Sequence, residues 1–179
     1  MINKILLIVV LCLNSCSIFS QASAQSNEVI ERAVNQLAQE LMQKYSTKHK
    51  ANIAILEFRT SSDNISRLNA IIQKEINQVL GTYNNFMIIE QYSVNHILEE
   101  LAWSLSNASS FKTYSSINEN LFKVTGTVAD VFIYGVIEVG ENDVFITGYI
   151  VPEGIATNSV KATVKLPIEN ISLNFLEVN

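Results

Sequence analysis

Two carboxylates lie where α/β enzymes place their acid–base groups. Glu57 and Glu90 stand near the carboxyl ends of two apolar runs, residues 52–58 (NIAILEF) and 86–90 (FMIIE), which are typical of buried parallel strands. Paired carboxylates at that end of a sheet could perform general acid–base catalysis. Because neither His nor Cys lies nearby to complete a site, we favour a structural role, in which both bind a loop or a helix terminus.

Other catalytic and cofactor chemistry finds little support in the sequence. There is no G-x-S-x-G nucleophile motif, and the glycines are too isolated to form a phosphate loop. His49 and His96 are too few for a zinc site, and the only cysteines, Cys12 and Cys16, lie in the N-terminal segment. The basic residues are scattered and the net charge is −5, so the sequence argues against binding to nucleic acid and against direct electrostatic binding to anionic lipid. The sequence therefore predicts no enzyme and no cofactor.

The N-terminus has the pattern of an export signal. Residues 1–4 form a basic start, and residues 5–13 (ILLIVVLCL) form an unbroken apolar run. This run is shorter than the roughly 20 residues that a helix needs to span a bilayer. A basic start followed by a short apolar stretch predicts a signal peptide rather than a membrane anchor.

Two processing sites compete after that run. The segment LNSC, which ends at Cys16, resembles a bacterial lipobox, and the resemblance implies diacylation of Cys16. The segment ASA, which ends at Ala24 before Gln25, fits ordinary signal peptidase and would release a soluble periplasmic protein. We favour lipidation, which makes residues 1–16 a lipoprotein signal peptide and residues 17–26, rich in Ser and Gln, a flexible tether.

The remaining chain alternates between helical and strand-like patterns. The periodicity predicts helices over 27–48 and 65–80, a third helix capped by Ser93, a short one that a capping box starts at Ser116, and strands over 52–58, 86–90, 131–139, 144–151 and 159–166. The predicted fold is α/β, a mixed β-sheet with a βαβ unit followed by a C-terminal antiparallel β-meander, with helices packed on the sheet. Residues 27–167 form a single domain, and residues 168–179 form a C-terminal tail.

The helix over 27–48 carries a wide apolar stripe that includes Val34, Leu37 and Leu41. Amphipathic helices mostly cover the core of their own domain, and we favour that outcome here. The alternative is that the stripe docks on a partner or on a second subunit.

The order of four motifs resembles one known superfamily. They are residues 53–58 (IAILEF), 86–91 (FMIIEQ), 97–101 (ILEEL) and 122–135 (FKVTGTVADVFIYG). The superfamily contains the curli secretion subunit CsgG, the flagellar outer-membrane protein FlgO, the penicillin-binding-protein activator LpoB and the N-terminal domain of TolB. The resemblance implies a fold like that TolB domain. Gln91 stands where the family usually has Arg, Val128 stands where Gly is common, and no room exists for the long hairpins of a curli pore.

The resemblance implies a non-enzymatic accessory protein of the periplasm or outer membrane. Its expected partners are envelope proteins of the secretion, flagellar or cell-wall machinery, with a CsgG- or FlgO-like role as the main interpretation. A penicillin-binding-protein activator is the alternative, and an enzyme that uses Glu57 and Glu90 is less favoured. Ser17 after the cysteine indicates outer-membrane sorting, by analogy with enteric bacteria. The sequence leaves a homo-oligomer open.

Overall fold

The computed structural model describes residues 27–45, 49–152, 155, 158–171 and 175. Its helices and strands follow in the order α1 (27–44), β1 (Ala51–Thr60), α2 (Arg67–Leu80), β2 (Phe86–Ile88), α3 (Gln91–Glu100), α4 (Phe111–Thr125), β3 (Val131–Val139), β4 (Asp143–Pro152) and β5 (Val160–Pro167). The 3-10 helix Leu105–Asn107 precedes α4, and the 3-10 helix Ile168–Asn170 follows β5. Among the described residues, no helix is both long and apolar enough to cross a membrane.

The five strands form one mixed sheet in the order β2-β1-β3-β4-β5. β1 pairs in parallel with both β2 and β3, so β1, α2 and β2 make the expected βαβ unit. β3, β4 and β5 form an antiparallel meander. At the start of the parallel pair, Asp130 and Asn52 exchange two bonds, because the Asp130 carboxylate accepts the Asn52 N–H at 2.8 Å and the Asn52 carbonyl accepts the Asp130 N–H at 2.9 Å. The predicted fold class is confirmed.

Helices α1 and α2 cover one face of the sheet. The apolar side of α1, including Val34, Leu37 and Leu41, is buried in the larger core cluster. Contact with the sheet is close, because a Cβ added to Gly148 of β4 would lie 2.8 Å from a methyl carbon of Leu41. The stripe on α1 therefore covers the core of its own domain, as favoured from the sequence. Ile171, beyond β5, is buried in the same cluster.

Helices α3 and α4 pack on the opposite face, over the β2, β1 and β3 side of the sheet. Their core contains Leu56 of β1, Phe132 of β3 and the fully buried side chains of Trp103 and Tyr114. Tyr114 and Phe132 form an aromatic pair with ring centroids 4.8 Å apart. This second core holds α3 beside the edge of the sheet that β2 forms.

Two predicted helix starts are wrong. Ser93 does not cap α3, which begins at Gln91; instead the Ser93 hydroxyl donates to the Glu90 carboxylate at 3.2 Å from inside the first turn. Helix α4 begins at Phe111 rather than at Ser116. The burial of Tyr114 extends the helix toward its N-terminus, although the Ser-rich sequence there has the composition of a loop.

Candidate functional site

Glu57 is committed to a structural ion pair. It is only 5% exposed, and its carboxylate accepts a hydrogen bond of 2.7 Å from Arg59 Nε. Arg59 Nη1 also donates to the carbonyl oxygen of Asp63 at 3.1 Å, and its guanidinium lies 5.4 Å from the ring centroid of Trp103. The Asp63 carboxylate in turn accepts the N–H of Leu105 at 2.9 Å. The pair thus ties the turn after β1 to the segment after α3.

Glu90 belongs to a different part of the surface. It occupies the N-cap position of α3 and lines a cleft of about 380 Å³ to which Glu57 does not contribute. An enzyme that used both carboxylates would need them in one concave site. The structure does not bring the two sequence-derived candidates together.

The remaining candidates give no further site. In the part of the chain that the structure describes, no cluster of three or more His, Cys, Asp or Glu residues could hold a metal. His96 Nδ1 lies 3.6 Å from the carboxylate of Glu100 on the exposed side of α3. Cys16, Ala24 and Gln25, the processing candidates, lie outside the described residues.

The cleft lies between the β2–α3 segment and the C-terminal end of α4. Met87 and Glu90 line it from the first segment, and Val124, Thr125 and Thr127 line it from the second. Met87 and Val124 are each 63% exposed, although both are apolar. Glu90 is the ionisable residue among those that line the cleft. The cleft therefore combines an apolar rim with one carboxylate.

Most of the exposed large apolar side chains belong to the layer of α3 and α4 and to the neighbouring strand β2. They are Met87, Tyr92, Phe111, Phe122, Val124 and Val128, on β2, α3, α4 and the segment that follows α4. Phe111 and Phe122 lie about three turns apart, so they share one side of α4. Within the described parts of α1 and α2, no large apolar side chain is exposed to this degree. The layer of α3 and α4 is therefore the more apolar surface of the described domain.

The two edge strands of the sheet also differ in polarity: β5 carries charged side chains, and β2 carries only apolar ones. The β5 edge carries the exposed lysines Lys161 and Lys165, and Lys165 Nζ lies 2.9 Å from the Asp143 carboxylate. Charged side chains of this kind protect a sheet edge from pairing with another chain. The β2 edge has only Phe, Met and Ile, with no charge and no proline. The unprotected edge is the one beside the cleft.

Sequence reasoning missed the apolar residues of this site. Met87 lies within a continuous apolar run, which predicts burial on both faces. Its exposure follows from the edge position of β2, and strand order is set by tertiary pairing. The six exposed apolar residues are spread over β2, α3, α4 and the segment that follows α4, so they form no local motif.

No protein-family model matches the sequence, and a search of curated proteins finds no match. Among solved structures, the chain is similar to the NMR structure of E. coli LpoB, with a TM-score of 0.52 and 12% identity, over 76% of this chain and 68% of that one. It is also similar to the LpoB C-terminal domain from Escherichia coli (TM-score 0.49, 14% identity, 75% and 97% covered). Lipoprotein GNA1162 from Neisseria meningitidis is similar as well (TM-score 0.44, 14% identity, 70% and 88% covered). The likeness to the NMR structure of LpoB shows a shared fold and confirms the fold that the resemblance implied.

Proposed function

We propose that this protein is a non-enzymatic accessory lipoprotein of the cell envelope that activates a penicillin-binding protein by direct binding. The observation that carries the proposal is the set of large apolar side chains exposed on β2 and α4, among them Met87, Val124, Phe111 and Phe122. A soluble domain keeps such side chains on its surface where a partner covers them.

Binding fits this surface better than catalysis does. The cleft offers one carboxylate, Glu90, next to the hydroxyl of Ser93. Acid–base catalysis by the pair that the sequence suggested requires both carboxylates within reach of the same substrate. The nearest sequence-derived candidate, Glu57, is engaged by Arg59 and does not line the cleft.

The fold favours the activator interpretation over the CsgG- and FlgO-like one. The chain is similar in structure to LpoB, over about two thirds of LpoB and about three quarters of this chain. Lipidation of Cys16 and anchoring to the outer membrane complete the proposal. The partner is then a cell-wall synthase that the tethered domain reaches from the membrane surface.

The direct test is peptidoglycan synthesis in a purified system. The chain from residue 17 onward is added to each bifunctional penicillin-binding protein of the organism that carries the gene, with lipid II as substrate. We expect the wild-type protein to raise the polymerisation rate several-fold for one of these synthases. The double variant Phe111→Ser, Phe122→Ser removes two exposed apolar contacts and should lose the activation while it keeps the unfolding midpoint.

A matched control changes the opposite layer. Gln39 and Gln43 are exposed on α1, and the double variant Gln39→Ser, Gln43→Ser should activate the synthase as the wild type does. If no synthase of the organism responds to the wild-type protein, the activator proposal is wrong. If both double variants lose activation equally, the surface on α4 is not the one that binds.

A further inference from the structure

We infer that the free edge of β2 accepts an added strand: an extended segment of the partner lies along β2 and directs a Lys or Arg side chain to Glu90. The inference rests on the proposed function only in that a protein partner exists. It specifies where that partner binds, in what conformation, and with which charge.

The backbone of β2 is oriented for such pairing. The Asn85 carbonyl accepts the Ala51 N–H at 2.9 Å, and the Ile89 N–H donates to the Ile53 carbonyl at 2.9 Å. Because alternate residues of a strand direct their peptide groups to opposite sides, those of Ile88 point away from β1. β2 ends the strand order on that side. The outward N–H and carbonyl of Ile88 therefore face the region where a further strand would lie, whereas the Phe86 N–H is already bonded to the Tyr83 carbonyl at 3.2 Å.

The two edges of the sheet indicate which one is open to a partner. Lys161 and Lys165 project from β5, and lysines on an edge strand oppose pairing with another chain. β2 has no charged residue, and the exposed side chain of Met87 lies in the cleft beside it. An extended segment on β2 would cover Met87 and remove its apolar surface from water.

The short length of β2 makes side-chain recognition necessary. Three residues, Phe86–Ile88, provide only a few main-chain hydrogen bonds to an added strand. In strand addition the main chain supplies affinity, and pockets for alternate side chains supply specificity. Val124 and Thr127, at the end of α4, form the wall that faces β2 across the cleft. The methylene stem of a Lys or Arg on the cleft face of the added strand can pack between Met87 and Val124 while its charged end reaches Glu90.

Glu90 determines the charge of the segment. Its side chain is exposed, its bond in the cleft comes from the neutral hydroxyl of Ser93, and the cleft is lined by no Lys or Arg. A cation on the added strand would complement this carboxylate, whereas an acidic segment would be repelled. Because alternate side chains of a strand point to opposite faces, the residues of the segment that face the cleft are basic, and those between them, which lie beside the partly buried side chains of Phe86 and Ile88, are apolar.

The experiment uses two defined peptides and the chain from residue 17 onward, labelled with nitrogen-15. The acetylated, amidated peptides VKVKV and VEVEV have the same apolar residues and opposite charges. We expect VKVKV to bind about fivefold more tightly than VEVEV, the size of one exposed charge pair. Binding of VKVKV should also slow hydrogen exchange at the Ile88 amide, because that N–H gains a partner.

Variants of two exposed glutamates separate the site from general electrostatics. Glu90→Lys should reverse the preference, so that VEVEV binds more tightly, and Glu90→Gln should abolish it. Glu138 is exposed on β3 and does not line the cleft, so Glu138→Lys should keep the preference for VKVKV. A reversal by Glu138→Lys as large as that by Glu90→Lys would overturn the assignment of Glu90.

Other occupants of the edge predict different results. Binding of VKVKV without protection of the Ile88 amide would overturn strand addition in favour of side-chain docking. A dimer that forms at high protein concentration and disappears in Met87→Lys would overturn it as well, because a second copy would then occupy the edge. Activation of a synthase together with no peptide binding would refute this inference alone, whereas peptide binding without activation would refute the activator proposal alone.

Discussion

The side-chain amide of Gln91 donates a hydrogen bond of 2.8 Å to the main-chain carbonyl of Ile55. This bond compensates for the short length of β2. β1 extends from Ala51 to Thr60, but its pairing with β2 ends at Ile53. The first turn of α3 follows β2 directly, and Gln91 there takes over as the partner of β1.

Further amide side chains continue along the same edge of β1. Gln73 Nε2 donates to the Leu56 carbonyl at 2.9 Å, and the Asn69 side-chain oxygen accepts the Phe58 N–H at 2.7 Å. Asn95 accepts a bond of 2.8 Å from Gln91 and so joins the network from α3. Buried backbone groups that lack a strand partner need such bonds, because an unpaired one costs about as much as a lost hydrogen bond. α2 and α3 therefore close the sheet edge that β2 leaves open.

Replacing Gln91 by Met should destabilise the domain. The two side chains have similar volumes, but Met cannot donate to the Ile55 carbonyl or to Asn95. The loss of a partner for buried polar groups predicts a decrease of about 1–3 kcal/mol in the free energy of unfolding. Urea denaturation followed by circular dichroism measures it. Gln39→Met on the exposed side of α1 is the control and should change stability by less than about 0.5 kcal/mol.

Local patterns were sufficient to predict most of the secondary structure. The continuous apolar run of β1, the alternation in β5 and the turn between β3 and β4 all lie within short segments of sequence, and the structure has these elements where the patterns place them. The same patterns gave the fold class. The pattern of adjacent residues indicates whether a strand is suited to burial on both faces or on one.

The amide network and the cleft depend on relationships between distant segments. In the sequence, Gln73 and Gln91 do not differ from other polar residues. Their bonds to β1 are needed because β2 ends at Ile88, and the sequence does not reveal where β2 ends. The first third of α4 was missed for a related reason. Burial of Tyr114 against Phe132 of β3 stabilises a helical turn that the local Ser-rich sequence does not favour.

Replacing Gly135 by Ala should lower the free energy of unfolding far more than replacing Gly126 by Ala. A Cβ on Gly135 would lie 2.1 Å from a ring carbon of Phe58 and 2.6 Å from the Thr147 carbonyl oxygen, so the sheet has no room for it. Gly126 has a φ of +71° at the end of α4 with nothing within 4 Å, so Ala there costs only about 1–2 kcal/mol of backbone strain. We expect Gly135→Ala to lose more than about 3 kcal/mol. Equal unfolding midpoints for the two variants in urea would contradict this assignment.

Stability should fall as the pH rises above about 10. Burial raises the pKa of Tyr114, whose hydroxyl donates to the Ala108 carbonyl, and burial also raises that of Tyr134. In this range the unfolded chain releases the phenolic protons while the folded protein retains them. The unfolded state then binds fewer protons, so the free energy of unfolding decreases with pH.

Two Tyr→Phe variants test whether the buried tyrosine causes the loss of stability at alkaline pH. Tyr114→Phe removes the buried phenol, so its free energy of unfolding should decrease less steeply than that of the wild type between pH 9 and pH 11 in urea titrations. Tyr92 is 75% exposed, and Tyr92→Phe should keep the wild-type slope. A wild-type slope in Tyr114→Phe would show that other groups cause the alkaline loss.

Deletion of residues 27–46 should abolish cooperative unfolding or cause aggregation. Leu37 and Leu41 of α1 cover Gly148 and the larger core cluster, and their removal exposes that face of the sheet to water. Calorimetry and light scattering measure the two outcomes. Gln43→Ala on the exposed side of the same helix should unfold like the wild type. A truncated protein that stayed monomeric and melted cooperatively would contradict the burial of α1.

Cys16 should carry the lipid that anchors the protein. In the native host, radiolabelled palmitate should enter the wild-type protein and should not enter Cys16→Ser, because the thiol of the residue after the lipobox cleavage is the acceptor. Cys12→Ser is the matched control; it changes a cysteine of the apolar run and should keep the label. The N-terminus of the mature protein gives an independent measurement. If it is Gln25, cleavage follows Ala24, the lipoprotein assignment is wrong, and the domain reaches its partner as a soluble periplasmic protein.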